Sequence, residues 1–373
     1  MRATKARIYL DNFRKNIQTA RTIIGPHPKI CVPVKANAYG HGAVDISRCA
    51  LESGAEYLGV AAICEGEELR RAGITAPILV FAQVLPQEIP DLVSLDLTPF
   101  VFELDFIKAL AKEARELNKR LTVHLKVDTG MGRLGCHPDK AAALAAEIAA
   151  CKDLALGGVA THFAVSDSLA EDDVAYTKEQ LRRFNSALTS IREAGIKTGI
   201  VHAANSGGLV FHPDSHFDMV RPGIFLYGYS PANGTSLAAG NSALLAKPVM
   251  ELRSVVSAIK KVKKGASISY GRTWIADEDT VIATLPVGYA DGFPRRLSNA
   301  YSVQIRGKSY PLAGRICMDQ CMVDVGSTTE VLLWDEAIIF GPDFVTAEDL
   351  AHRANSNPHE ITCNINRRVP RVY

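Results

Sequence analysis

Val32-Pro33-Val34-Lys35-Ala36-Asn37-Ala38-Tyr39-Gly40-His41-Gly42 holds the key to the architecture. A short apolar run reads as a buried strand, and the small residues, aromatic and glycines after it read as a loop at the strand's end. Lys35 stands at the junction. In a desolvated pocket an ammonium loses hydration, its pKa falls, and the free amine can form a Schiff base with a carbonyl. At an open strand end the same lysine only lays its stem along apolar surface and keeps its charge in water. The stretch by itself permits both readings.

Working outward, the same unit recurs to about residue 228: a short apolar run, then an amphipathic segment. Candidate strands cover 30–34, 57–61, 78–81, 97–102, 121–127, 156–161, 199–202 and 219–226. Alternation of this kind builds a parallel sheet, and eight strands is the number that closes a barrel, the TIM (β/α)8 fold. The helices between are marked as well. Pro138 opens an Ala-rich segment to Ala150, and Leu181, Phe184, Leu188 and Ile191 form one stripe ended by Gly195. In the fifth strand Leu121, Val123, Leu125 and Val127 alternate with Thr122, His124, Lys126 and Asp128. That alternation sets Lys126 and Asp128 near the mouth of the barrel, and a buried Lys126 needs a partner.

Beyond about residue 232 the texture changes. Residues 231–236 read as a linker between a barrel domain, 1–232, and a mostly antiparallel β domain, 233–373. Short alternating runs at 249–259, 281–285, 302–305 and 322–325 carry the second domain. The opening strand, about 6–10, precedes the barrel and can pair with that domain.

Composition narrows the function. Of 373 residues 47% are hydrophobic and 22% charged, as in a folded soluble protein. A net charge of +2 gives no electrostatic reason to expect nucleic acid or an anionic membrane. Lys260-Lys261-Val262-Lys263-Lys264 reads as a solvated strand or turn. The cysteines at 31, 49, 64, 136, 151, 317, 321 and 363 lack CxxC or zinc spacing and fit reduced thiols in the cytoplasm. Neither a signal-like apolar region after Met1–Arg7 nor an apolar run of membrane-spanning length is present.

Several polar or glycine-rich clusters fall at barrel strand ends: residues 129–135, Thr161-His162-Phe163, Ala204-Asn205-Ser206-Gly207-Gly208 and Arg221-Pro222-Gly223-Ile224. Main-chain N–H groups of Ser206-Gly207-Gly208 and Gly223-Ile224, after strands seven and eight, suit a phosphate. A phosphorylated aldehyde is the natural partner of a reactive Lys35. Arg221 is either a structural partner of Asp218 or a donor to a cofactor's ring nitrogen. In the second role a permanent cation keeps that nitrogen unprotonated, which favours return of a proton to the α-carbon over transamination.

These motifs, with Lys126-Val127-Asp128-Thr129-Gly130-Met131-Gly132-Arg133, His202-Ala203-Ala204-Asn205-Ser206, Gly288-Tyr289-Ala290-Asp291-Gly292, Arg315-Ile316-Cys317-Met318-Asp319-Gln320 and Arg368-Val369-Pro370-Arg371, resemble alanine racemase in order from Ala6 to Tyr373. The resemblance implies a fold-type III enzyme dependent on pyridoxal 5'-phosphate, a cytoplasmic homodimer with sites at the subunit interface, making D-alanine for peptidoglycan precursors. Lys35 would bind the cofactor and act as base on one face of the substrate; Tyr270, from the other subunit, would act on the opposite face. Inversion at one carbon needs two such bases. Tyr39, Ser206, Gly223 and Ile224 would hold the phosphate, His162 would pack on the ring, and Arg221 would face its nitrogen. His202 would link Arg221 to Tyr270. Arg133 would meet the phenolic oxygen and the substrate carboxylate, with Met318 and Asp319 of the other subunit lining the substrate pocket.

In many members the lysine matching Lys126 is carbamylated, and that N6-carboxylysine is expected here because two buried cations, Lys126 and Arg133, repel. A neutral lysine or a bound chloride is the rival. Two positions depart from the family pattern: His359 stands where a phosphate-contacting tyrosine is usual, and Tyr9 where an acid is common. The rival functions are a racemase of serine or of broader range and a non-catalytic pyridoxal phosphate-binding barrel. The β domain and the Tyr270 segment argue against the latter.

Overall fold

The computed structural model describes residues 3–232 and 246–373; the expected linker residues 233–236 lie outside them. Strand β1 (Lys5–Ile8) is followed by eight short strands, β2 (Lys29–Pro33), β3 (Tyr57–Val60), β4 (Ile78–Val80), β5 (Thr98–Val101), β6 (Leu121–Lys126), β7 (Leu154–Ala160), β8 (Ile200–His202) and β9 (Met219–Val220). The eight pair in parallel in the order β8-β7-β6-β5-β4-β3-β2-β9. Across the remaining gap Asp218 N–H donates to Val201 O at 3.0 Å and Arg221 N–H to Ala204 O at 2.8 Å. The cylinder is thereby closed, as the eight-unit pattern requires.

Two departures from the expected strands have local causes. The last barrel strand stops at Val220 instead of running to 226, because Pro222 has no N–H for a ladder and Leu226 N–H turns back onto Gly223 O at 2.9 Å. In β6 the register against β7 shifts between Val123 and His124. Thr122 is exposed while His124 and Lys126 are buried. A Cβ on Gly158 would lie 2.7 Å from the His124 ring, so glycine in β7 makes the room that this imidazole fills.

The C-terminal domain is mostly β: β10 (Met250–Val255), β11 (Ala258–Val262), β12 (Ser267–Ile268), β13 (Trp274–Ile275), β14 (Thr280–Leu285), β15 (Ser302–Ile305), β16 (Lys308–Pro311), β17 (Cys321–Asp324), β18 (Glu336–Phe340) and β19 (Arg371–Val372). The run expected as one strand at 249–259 is two, since Val256 N–H goes to Asp335 O and Ser257 N–H to Thr284 O, in different sheets. Strand β1 lies in the six-stranded sheet of this domain, antiparallel to β10 and parallel to β19. One continuous apolar core joins it to the barrel through Ala6, Phe13, Ile17 and Tyr227. Among the described residues no helix is long and apolar enough to cross a membrane.

Candidate active site

A cavity of about 490 Å³ opens at the C-terminal ends of the barrel strands, the end where such folds assemble their sites. Lys35, Tyr39, Lys126, Arg133, His162, Ser206, Arg221, Gly223, Ile224 and His359 all line it. Ten residues singled out in the sequence therefore meet at one mouth.

Lys35 leads directly into a left-handed turn. Ala36, Asn37, Ala38 and Tyr39 have φ of 52°, 55°, 53° and 53°, a conformation costing roughly 1–2 kcal/mol per L-residue. Side chains elsewhere hold it in place. Glu65 Oε1 accepts the Ala36 N–H at 2.6 Å, and its Oε2 accepts those of Ala61 and Ala62 at 2.7 and 3.2 Å. Asn37 Oδ1 accepts the Ala43 N–H at 2.8 Å. On the far side Arg371 Nε donates to Gly40 O at 2.8 Å and Tyr373 Oη to His41 O at 3.2 Å. A Cβ at Gly40 would lie 2.0 Å from Thr362 O, and at this positive φ only glycine fits. Burial, and then the charge of Arg133, lower the Lys35 pKa from its ordinary value, against weaker opposition from Cys363 and Glu65. Both act to make the free amine more available.

Lys126 is more extreme. Burial, Arg221 and Arg133 drive its pKa well below the usual lysine value, and Asp128 offsets this only in part. Its Nζ lies 5.6 Å from the Phe100 ring centroid and has no hydrogen-bond partner among the described residues. Asp128 is occupied with the loop that carries Arg133, its Oδ1 accepting from Gly130 N–H at 2.9 Å and Gly132 N–H at 3.1 Å.

Arg221 does not pair with Asp218, whose Oδ2 accepts the Val201 N–H instead. Its Nη1 donates to His202 Nδ1 at 2.7 Å and its Nη2 to Thr161 O and Ala203 O at 2.7 and 3.1 Å. His202 does not connect Arg221 to Tyr270. Both of its ring nitrogens are taken, the second by His124 Nδ1 at 2.8 Å, and the chain runs into the barrel interior. His162, whose Nδ1 lies 3.4 Å from Arg221 Nη2, is the imidazole beside Arg221 that faces the cavity. Burial lowers the Arg221 pKa to about 10, which leaves it a cation at neutral pH.

At the opposite wall Tyr39 lies with its Oη against Gly223, where a Cβ would approach it to 2.7 Å. Two of the expected amide donors are already used: Gly223 N–H donates to Ser206 Oγ at 2.9 Å and Gly208 N–H to Asn205 Oδ1 at 2.9 Å. The hydroxyls of Tyr39 and Ser206 and the N–H of Ile224 donate to no partner among the described residues. His359 sits at the rim, 5.6 Å from Tyr39 between ring centroids. Burial of part of its ring, then the Lys35 charge, lowers its pKa to about 4.

Tyr270, Met318 and Asp319 are not at this cavity. Tyr270 is 71% and Met318 53% exposed on the C-terminal domain, and Asp319 is paired with Arg368 at 2.7 Å. Sequence reasoning did not single out Glu65, His124 or the lining residue Cys363. A carboxylate three residues after Ala62, at the start of the helix Ile63–Arg71, was the available signal for Glu65.

The residue pattern and the geometry agree with comparison to known proteins. A family model described as alanine racemase, N-terminal domain, matches residues 8–231, and one for alanine racemase, C-terminal domain, matches 249–373. An alanine racemase of Treponema denticola is 48% identical over 100% of this chain and 98% of the relative, and one of Desulforamulus reducens is 44% identical over 99% and 98%. Among solved structures, the alanine racemase of Clostridium difficile 630 superposes with a TM-score of 0.93 at 36% identity, covering 100% of this chain and 96% of that one. The enzyme from D-cycloserine-producing Streptomyces lavendulae gives 0.92 at 36%, covering 100% and 97%. The chain belongs to the alanine racemase family.

Proposed function

We propose that this protein is a pyridoxal 5'-phosphate-dependent racemase that interconverts L- and D-alanine in the cytoplasm and supplies D-alanine for cell-wall precursors. The observation that carries the reading is the cavity: Lys35, with its lowered pKa, faces the unpartnered donors of Tyr39, Ser206 and Ile224 across a space of about 490 Å³. That volume falls within the range of small-molecule sites. The guanidinium groups of Arg133 and Arg221 line it with the amines of Lys35 and Lys126, against Asp128 and Asp167, a basic wall that suits an anionic ligand.

When bound, the cofactor supplies an extended π system that takes up the electron pair left as the substrate's α-proton departs. Lys35 binds it and holds or returns the proton on one face. Tyr270 of a second copy does so on the other, which makes a homodimer the working unit and accounts for an exposed tyrosine on an enzyme's β domain. Met318 and Asp319 of that copy complete the substrate pocket. Tyr39, Ser206 and Ile224 donate to the phosphate, Gly223 lets it approach the main chain while its own N–H holds Ser206 Oγ, and His359 contributes an N–H in place of the usual tyrosine. Arg221, fixed by His202, Thr161 and Ala203, donates to the ring nitrogen without ever giving up its proton, and His162 packs beside the ring. Arg133 orients the substrate carboxylate. Lys126, driven toward its neutral form, has the lone pair that attacks the carbon of carbon dioxide; one C=O π pair moves onto oxygen, an N–H proton passes to solvent, and the N6-carboxylate left gives Arg133 an anion to lean on.

A chiral assay of L-alanine, L-serine and larger amino acids with added cofactor tests the reading. D-alanine is expected as the main product, and none from Lys35→Ala. Retained racemisation in Lys35→Ala would remove the central assignment. Cofactor binding without any racemisation would point to a carrier protein, and preferred turnover of serine to a different racemase.

A further inference from the structure

The cofactor reading leaves one buried titratable group of the opening motif without a task. His41 is fully buried, and its Nδ1 lies 3.0 Å from Ala38 O and 2.9 Å from Tyr39 O. Carbonyls only accept, so Nδ1 carries the proton and His41 caps the left-handed turn at its end. Its other nitrogen, Nε2, has no partner among the described residues. The ring lies 4.6 Å from Tyr227, and Tyr227 lies 4.6 Å from Tyr39, stacked at 26°. Tyr227 is itself fixed, its Oη donating to Pro33 O at 2.8 Å. Tyr39 is thus gripped at its carbonyl by His41 and along its ring by Tyr227, which His41 backs.

We propose that His41 is a positioning residue for phosphate recognition: by capping the turn it aims the Tyr39 hydroxyl at the cofactor's phosphate. This rests on the cofactor reading above. The imidazole touches neither substrate nor cofactor; it acts through Tyr39 alone. Its pKa is lowered to about 3 by burial, so the donor at Nδ1 persists as a neutral N–H throughout the working pH range. An amide at the same place serves as well as an imidazole, whereas a phenyl ring fills the space without the donor.

The test measures affinity of the stripped and reloaded protein for two probes, pyridoxal 5'-phosphate and pyridoxal, which differ only in the phosphate. His41→Phe is expected to weaken pyridoxal 5'-phosphate roughly fivefold to tenfold, the worth of one buried hydrogen bond, and to leave pyridoxal unchanged. His41→Asn, which restores a donor, is expected to return most of the loss, and His41→Phe should add nothing in a Tyr39→Phe background. Equal weakening of both probes, no weakening, or full additivity with Tyr39→Phe would each overturn the inference. His41→Asn keeps the question answerable if His41→Phe fails to fold: wild-type discrimination between the probes in His41→Asn supports the donor role, and lost discrimination overturns it. A wild-type protein with no preference for the phosphorylated probe would instead defeat the cofactor reading on which the inference stands.

Discussion

Arg221 Nη1 donates to His202 Nδ1 across 2.7 Å, and this bond dictates the protonation of everything behind it. Arginine cannot accept, so His202 Nδ1 must be bare and its proton must sit on Nε2. That proton is given to His124 Nδ1 at 2.8 Å, so His124 too is a neutral Nε2–H tautomer. Nitrogen NMR of labelled protein should find both imidazoles neutral with the proton on Nε2 from pH 5 to pH 8, a range of about three units around the free value. Either ring charged, or protonated at Nδ1, would break the chain as described. His202→Ala should lower stability by about 1–3 kcal/mol in denaturant titrations, since it strands a buried donor.

Stability should depend on pH through the same rings. Burial lowers the pKa of His41 and His124 to about 3 and that of His202 well below the ordinary 6.5. Below pH 6.5 the unfolded chain therefore binds more protons than the folded one, and stability falls as the solution is acidified. Each ring contributes a slope of up to about 1.4 kcal/mol per pH unit between the unfolded and folded pKa values. The imidazoles should raise urea midpoints from pH 5 to pH 6.5 and add nothing further above that. A flat profile would mean that these rings are charged or solvated in the native state.

Gly223→Ala should cost cofactor affinity more than fold. The added methyl would stand 2.7 Å from Tyr39 Oη and 3.3 Å from its Cζ, with nothing else in the way but that one ring. A loss of about tenfold or more in cofactor affinity, from displacement of a single donor, is expected with a nearly unchanged melting temperature. In a Tyr39→Phe background the loss should shrink. An undiminished loss there would place the collision elsewhere.

If Tyr270 works in a second copy, two dead variants should rescue each other. Lys35→Ala and Tyr270→Ala each lose both sites of their own homodimers. Denatured together and refolded, they form mixed dimers in which one site keeps both groups, so about one quarter of all sites should be intact. Activity of the mixture well above either parent is expected; no gain at all would put Tyr270 and Lys35 in the same chain's site.

Lys126 should carry an extra carboxylate when the protein is examined by native mass spectrometry in bicarbonate, and activity should fall when carbon dioxide is removed. Lys126→Met, which has no amine to modify, should lose both the added mass and the dependence on carbon dioxide. An unchanged dependence on carbon dioxide in Lys126→Met would place the modification at another residue.

The barrel was legible because its strands are apolar runs with loops of glycine and small polar residues at one end, a local signal at each of eight positions. Most of the converging side chains followed from strand-end position, whereas His359, on a helix of the C-terminal domain, and the role of Tyr39 came only with the family resemblance. What sequence reading missed lies in conformation and in direction. Alanine favours right-handed helix, so nothing in Ala36-Asn37-Ala38 announces a left-handed turn; that is imposed by Glu65, Arg371 and Tyr373 from distant parts of the chain. His202, expected to link Arg221 to Tyr270, is a strand-end histidine that can point either way along the barrel axis, and the space under Gly158 draws His124 and hence His202 inward. Tyr270 stands exposed on the C-terminal domain, away from the cavity, and the fold of a single chain does not bring it there.

That turn has the dihedral signs of a helix seen in a mirror. Four consecutive L-residues, two of them alanines, are held in the backbone geometry that their D-enantiomers would adopt at rest. At roughly 1–2 kcal/mol each the load approaches the net stability of a small domain, and it sits between the reactive amine and the tyrosine that would grip the phosphate. Lys35 is therefore mounted on a wound spring: loosening the grip of Arg371 or Glu65 should let the segment relax toward ordinary helix, rotating the amine out of the cavity before the barrel itself is disturbed.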